Sequence, residues 1–193
     1  MANSYTYNEM LVHTPVCTHK DPKNVLIFSD DQAGIKKENA RHSEMNFTVM
    51  ASKDAVDTVS NTADDAFDII IFDTIIEGDT AFFAHLNRAT TSEALVVFKS
   101  NAVLSDTQNV RQLFDNLGTY FKIVMPYTFD ADEKGTTKAT LIFASKFYHP
   151  TADFILHRTD LIDGLSYYNC DVHPAVFAQP NDVRVALKGV ARN

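Results

Sequence analysis

Carboxylates at the ends of apolar runs are the residues of this chain best placed to do chemistry. Asp73 closes the run Phe67-Asp68-Ile69-Ile70-Ile71-Phe72, and Asp30-Asp31 follow Val25-Leu26-Ile27-Phe28-Ser29. A carboxylate in such a place holds an ammonium, binds a metal ion or takes a proton. Its plainer duties are to cap the next helix or to hydrogen-bond a loop. Tyr167, Tyr168 and His173 form an aromatic group near the C-terminus, for which packing around a hydrogen-bonded histidine is the expected role. His13, His19, His42, His85 and His149 show no paired metal-ligand spacing, so no metal site is expected. The sequence has no Gly-x-Ser-x-Gly elbow and no phosphate-binding Walker loop, which leaves acyl transfer and nucleotide hydrolysis without support. Cys17 and Cys170 are too few and too far apart for a disulfide framework and are expected as reduced thiols.

The elements that must position these groups are legible as apolar runs at residues 25–28, 47–50, 68–72, 94–98, 121–125 and 140–144. Most are rich in β-branched residues and nearly continuous, as strands buried on both faces are. Between them, residues 106–117 carry Val110, Leu113, Phe114 and Leu117 at helical spacing, with Asp106 before and Gly118 after. A weaker helical pattern covers 79–88. Alternating strands and helices imply a doubly wound α/β fold with a mostly parallel sheet. Residues 126–138 have no helical period, so the last two strands are expected to form an antiparallel hairpin.

Of 193 residues, 45% are hydrophobic, which suffices for a core. With 25 acidic against 17 basic residues the net charge is −8, so no electrostatic footprint for nucleic acid or an anionic membrane exists. The N-terminus lacks a signal peptide's basic and apolar regions and no run is long enough to span a membrane; a cytoplasmic protein is expected. No repeat or linker divides the chain, so one Rossmann-like domain over 1–193 is expected.

Three stretches, read together, resemble the spermidine synthase family. They are Tyr7-Asn8-Glu9-Met10-Leu11-Val12-His13-Thr14-Pro15 with Thr18-His19 and Pro22-Lys23-Asn24-Val25; Phe67-Asp68-Ile69-Ile70-Ile71-Phe72-Asp73; and Ala144-Ser145-Lys146 followed by Tyr167-Tyr168-Asn169, Asp171-Val172-His173, Ala175, Phe177 and Pro180. The resemblance runs from about Tyr7 to Leu187. It implies a Rossmann-like fold of the S-adenosylmethionine-methyltransferase type and an aminopropyltransferase that moves an aminopropyl group from decarboxylated S-adenosylmethionine to putrescine. By the same resemblance, Tyr7 and Asn8 belong to the substrate pocket. Ser29, Asp30, Asp31 and Gly34 stand at the family's glycine-rich cofactor turn, Asp65 stands near its adenine-binding acid, and Asp73 matches the first aspartate of its catalytic loop.

The departures from the family pattern are specific. Gly34 alone survives of the glycine-rich run, and Ala51 stands near the place of the acid that grips the ribose. Only 14 residues separate Lys53 from Asp68, where a further strand and helix need on the order of 30; one strand-and-helix unit near 53–67 is expected to be deleted. Ile76 falls where the amine-activating aspartate belongs, with Glu77 one residue along as a possible substitute. An isoleucine neither accepts a proton nor binds an ammonium. The tyrosine-bearing lid aligns with Asp132-Glu133-Lys134-Gly135-Thr136, and the family's N-terminal β-domain is expected to be absent.

The expected function is therefore a spermidine synthase-like protein of polyamine metabolism with its aminopropyl transfer lost or strongly altered. Its expected ligands are a polyamine or a nucleoside thioether, with decarboxylated S-adenosylmethionine as cofactor only if it is active. A homo-oligomer or a protein partner is expected, because loss of the N-terminal cover would bare apolar surface. One alternative is a working aminopropyltransferase with a rearranged site. The other is a receiver-like phosphoacceptor domain built on Asp30, Asp31 and Asp73, with Lys99-Ser100 after the next strand; Met125-Pro126 stands where its Lys-Pro would be.

Overall fold

A computed structural model describes residues 4–193. The reading of the leader region begins at Met1 and so lies partly outside the described residues. Six strands form one sheet: β1 (Asn24–Phe28), β2 (Asn46–Met50), β3 (Phe67–Phe72), β4 (Thr90–Ser100), β5 (Ile123–Asp130) and β6 (Lys138–Ser145), in the order β2-β1-β3-β4-β6-β5. The first four pair in parallel, while β4/β6 and β6/β5 are antiparallel. This is the doubly wound, mostly parallel sheet with a C-terminal hairpin.

Alternation along each strand divides the core in two. Val25, Ile27, Ile69, Ile71, Leu95 and Val97 face one layer, with Met10, Leu11 and Val16 of helix α1 (Tyr5–Thr18). Leu26, Phe28, Ile70, Phe72, Val96 and Phe98 face the other, against α3 (Ala55–Asn61), α4 (Thr80–Ala89) and α5 (Thr107–Gly118). Burial on both faces explains why these strands read as continuous apolar runs. Strand β1 leads into α2 (Gln32–Asn39), which leads into β2. Between β2 and β3 the chain forms only the 3₁₀ turn Ser52–Asp54 and the seven-residue α3.

Two segments differ from the sequence reading. Residues 126–138 were expected as a loop, but β5 continues through Pro126 to Asp130 and the connection shrinks to 131–137. Pro126 is tolerated because β5 is an edge strand, where a missing N–H breaks no ladder bond. The stretch from Tyr7 to Thr18 carries no apolar stripe, yet it is helical and buried from Thr6 to Thr18. Its Glu9 carboxylate finds partners inside the protein, accepting backbone N–H groups from Ser166, Tyr167 and Tyr168 at 2.8–3.2 Å. At the other end Arg158 donates to the carbonyls of Val16, His19 and Lys20, neutralising a helix C-terminus that has no basic residue of its own. The C-terminal segment that carried the family signature thus holds α1 in place. Within it the short helices α6 (Leu156–Asp160), α7 (Val172–Ala175) and α8 (Asn181–Ala186) follow one another.

Candidate functional site

Phe28, Phe72 and Phe98 are register partners on adjacent strands and stack at 5.3 and 4.6 Å between ring centroids. Each ends the buried part of its strand, and the next residue is Ser29, Asp73 or Lys99. Side chains alternate along a strand, so these three turn to the opposite face, towards α1. There they meet. The Ser29 hydroxyl donates to one Asp73 carboxylate oxygen at 2.8 Å; the Tyr7 hydroxyl, from α1, donates to the other at 2.8 Å. The Lys99 ammonium donates to that second oxygen at 3.1 Å and lies 5.1 Å from the centre of the Tyr7 ring. Tyr7, Ser29 and Asp73 are buried, whereas the Lys99 side chain is 39% exposed. Burial first, and the adjacent Asp73 charge second, push the Tyr7 phenol well above its usual range, so it remains a donor.

The turn after β1 is filled by its own side chains. Asp31 caps α2 by accepting from the Gly34 N–H at 3.2 Å, and its other carboxylate oxygen accepts from the Asn8 amide at 2.9 Å. Asp30 accepts from the Ser52 N–H at 3.0 Å and so ties the end of β1 to the end of β2, beside Ala51. A Cβ on Gly34 would lie 2.2 Å from both the Asn8 amide nitrogen and the Asp31 carboxylate. Gly34 thus makes room for the chain's own Asn8–Asp31 pair rather than for a ligand. The Asn8–Asp31 pair fills this turn, and Ala51 beside it offers no side-chain acceptor for a hydroxyl.

Asp65 is not brought to the site. It precedes β3 in a left-handed turn (φ 51°), with its N–H bonded to the Arg88 carbonyl, at the amino ends of the strands and a full strand length from Asp73. Ile76 packs against the aromatic core layer and Glu77 is exposed. Glu77 and Lys99 line a crevice of about 520 Å³ between the loop after β3 and α5, together with Asp79, Asn101 and Asp106.

The receiver arrangement does not form. Asp30, Asp31 and Asp73 each engage different partners, and among the described residues no group of three or more histidines, cysteines or acids could hold a metal ion. An antiparallel β6 also lies where a receiver would continue its parallel sheet. His173, by contrast, is built as expected of a packing residue. Its Nε2–H donates to the Pro150 carbonyl at 2.9 Å, so Nδ1 accepts from the Tyr168 hydroxyl at 2.6 Å, and burial lowers the ring to about 4. Sequence reasoning missed the convergence of Tyr7, Ser29 and Lys99 on Asp73. A signal was present in three strands that each end in phenylalanine followed by a polar residue.

A mostly parallel six-stranded sheet with helices on both faces and an antiparallel pair at one edge makes the chain a Rossmann-like α/β protein. No protein-family model matches it. It is 25% identical over 201 residues to the polyamine aminopropyltransferase of Helicobacter acinonychis, covering 94% of this chain and 76% of that protein. With the polyamine aminopropyltransferase of Clostridium beijerinckii it shares 24% identity over 226 residues, 97% of this chain and 80% of that one. The spermidine synthase of Thermotoga maritima superposes with a TM-score of 0.82 at 22% identity, over 96% of this chain and 75% of that one. A spermidine synthase in complex with the transition-state analogue AdoDATO gives 0.81 at 21% identity, over 96% and 76%. Over most of its length the chain is thus similar to polyamine aminopropyltransferases in sequence and to spermidine synthases in fold.

Proposed function

We propose that this chain is a spermidine synthase-like protein of polyamine metabolism in which aminopropyl transfer is lost or strongly altered. Transfer of that kind requires a base that keeps the attacking amine neutral and in line with the sulfonium carbon. The observation that carries the reading is the loop after β3: Asp73 is its buried carboxylate, while the half-buried Ile76 packs against the aromatic core layer and supplies no acceptor. Two further features support it. The turn after β1 is closed by Asn8, Asp31 and Gly34, and the short link through α3 fits a chain that has shed one strand-and-helix unit. In this reading Asp73 is the amine-side carboxylate, kept with Tyr7 on a scaffold no longer used for the original reaction.

Glu77 favours a second reading. It is exposed on the same crevice as Lys99, where a rearranged loop would let it act as the base of a working aminopropyltransferase. One experiment separates the two. Incubation with decarboxylated S-adenosylmethionine and putrescine, with calorimetric titration of methylthioadenosine alongside, is expected to yield no spermidine and no heat of nucleoside binding. Spermidine formation that disappears in Glu77→Gln would overturn the first reading in favour of the second.

A further inference from the structure

We infer that strand β2 is a docking edge for a second copy of this chain, the two β2 strands pairing antiparallel about a two-fold axis at Thr48. The pairing uses neither the loop after β3 nor its chemistry, so it holds whether or not aminopropyl transfer is kept. The two edges of the sheet are treated differently. At β5 the C-terminal segment meets the outward backbone groups one after another. Val124 exchanges hydrogen bonds with Arg192 at 2.8 and 3.0 Å, and the Gln179 amide donates to the Pro126 carbonyl at 3.3 Å. The N–H groups of Thr128 and Asp130 donate to the Val176 carbonyl and the Tyr167 hydroxyl at 3.0 and 3.2 Å. At β2 no strand of the described residues lies outside the sheet. In the general doubly wound order a further strand covers this edge, but the chain between β2 and β3 holds only Ser52–Asp54 and α3. Asn46 donates to the Lys23 carbonyl at 2.7 Å and Met50 accepts from the Ser29 N–H at 3.0 Å, so both turn their backbone groups towards β1. By the alternation of a ladder, those of Phe47 and Val49 turn outward, and no backbone partner meets them among the described residues. An exposed edge is ordinarily blunted by a charge, a proline or a bulge; Asn46–Met50 has none of these.

The strand is complementary to itself. Antiparallel pairing centred on Thr48 sets each Phe47 opposite the partner's Val49. These are the residues whose backbone groups face outward, so each such pair exchanges both of its N–H···O bonds. On the face towards α1 the same pair joins an aromatic to a β-branched side chain, a favourable cross-strand match, and covers Phe47 and Val49, which are otherwise half-buried. On the other face the exposed Thr48 meets its own copy. Charge fixes the direction. Glu44 precedes the strand and Lys53 follows it, both exposed. Antiparallel pairing brings each Glu44 beside the partner's Lys53, whereas parallel pairing sets like charges together. A two-fold contact is closed, and because the β5 edge is covered, assembly stops at the dimer.

A pair of five-residue strands buries less than a standard interface, so the association is a weak one. Sedimentation of the full chain between about 1 and about 200 μM is expected to show a monomer–dimer equilibrium. Two edge variants act on the contact alone. Thr48→Lys brings a lysine ammonium from each copy together on the axis, and Val49→Pro removes an outward N–H without touching the ladder to β1. Each, checked for folding by thermal unfolding, is expected to raise the dissociation constant about tenfold or more. In a Cys170→Ser background, Thr48→Cys is expected to give a disulfide-linked dimer under mild oxidation, because residues facing across a non-hydrogen-bonded pair stand about 4.5 Å apart. Glu44→Cys, whose copies lie roughly 25 Å apart in this register, is expected not to. A chain that stays monomeric over the whole range, species larger than a dimer, or a dimer undiminished in the folded edge variants overturns the inference. Crosslinking of Glu44→Cys equal to that of Thr48→Cys overturns it as well. The cysteine pair reads the register directly and so decides the matter even where an edge variant does not fold.

Discussion

Mild acid should loosen the clamp between α1 and α2 before it protonates the carboxylates. His13 on α1 donates through Nε2 to Glu38 on α2 at 3.1 Å, and its Nδ1 accepts from His42 Nε2–H at 2.9 Å; Arg41 also reaches Glu38. All three members of the relay, His13, Glu38 and His42, are buried. Burial, then the nearby His13, Arg158 and Arg41 charges against a smaller opposing pull from Glu38, hold His42 down to about 3, and burial lowers His13 as well. His173 is likewise lowered to about 4. The unfolded chain takes up protons on these rings near the ordinary histidine value of about 6.5, the folded chain only well below it. Stability is therefore complete above about pH 7 and is lost as the pH falls towards the folded values. At about pH 4.5, His42 and His173 each withdraw on the order of 2–3 kcal/mol, a large share of a typical domain's stability. Urea unfolding at a series of pH values between about 7.5 and 4.5 measures this directly. His42→Gln and His173→Gln should each remove a distinct part of the pH-linked loss, with the lowered His13 contributing to what remains. A urea midpoint that does not move between about pH 7.5 and pH 5, or variants that keep the full slope, would refute the reasoning.

Gly34→Ala should destabilise the protein by about 1–2 kcal/mol despite alanine's better helix propensity, because the new methyl displaces Asn8 and Asp31. Thermal unfolding would show this, and the cost should shrink in the Gly34→Ala/Asn8→Ala double variant; an undiminished cost there would place the strain elsewhere. Glu9→Gln turns an amide towards the N–H groups of residues 166–168. It should cost about 2–4 kcal/mol in urea unfolding, with a neutral outcome telling against a carboxylate that anchors the C-terminal segment.

Strands β1, β3 and β4 were legible because each is buried on both faces and so spells itself as an apolar run. Helix α5 was legible because only one of its faces is buried. Helix α1 was not, for the opposite reason: burial on nearly every side erases the stripe that marks a surface helix, and its polar residues look like loop residues until their partners are known. Those partners, Arg158, Ser166 and His42, are distant in sequence. The left-handed turn at Asp65 shows the same limit, since an acid a few residues before a strand reads alike whether the strand carries it to the site or away from it. For the site, chain position gave Asp73, but the convergence of Ser29, Lys99 and Tyr7 depends on strand order and on three registers agreeing.

That convergence also bears on why Asp73 persists. A buried carboxylate that has lost a ligand's cation is costly unless something else supplies charge and donors. Here Tyr7 and Ser29 supply hydroxyls and Lys99 supplies the cation, all from within the chain. Burial of Asp73 is compensated in this way by groups of the chain itself. Ile76 likewise packs against the aromatic core layer and offers no polar group, and the turn around Gly34 is filled by Asn8 and Asp31, so side chains of the chain itself occupy both places.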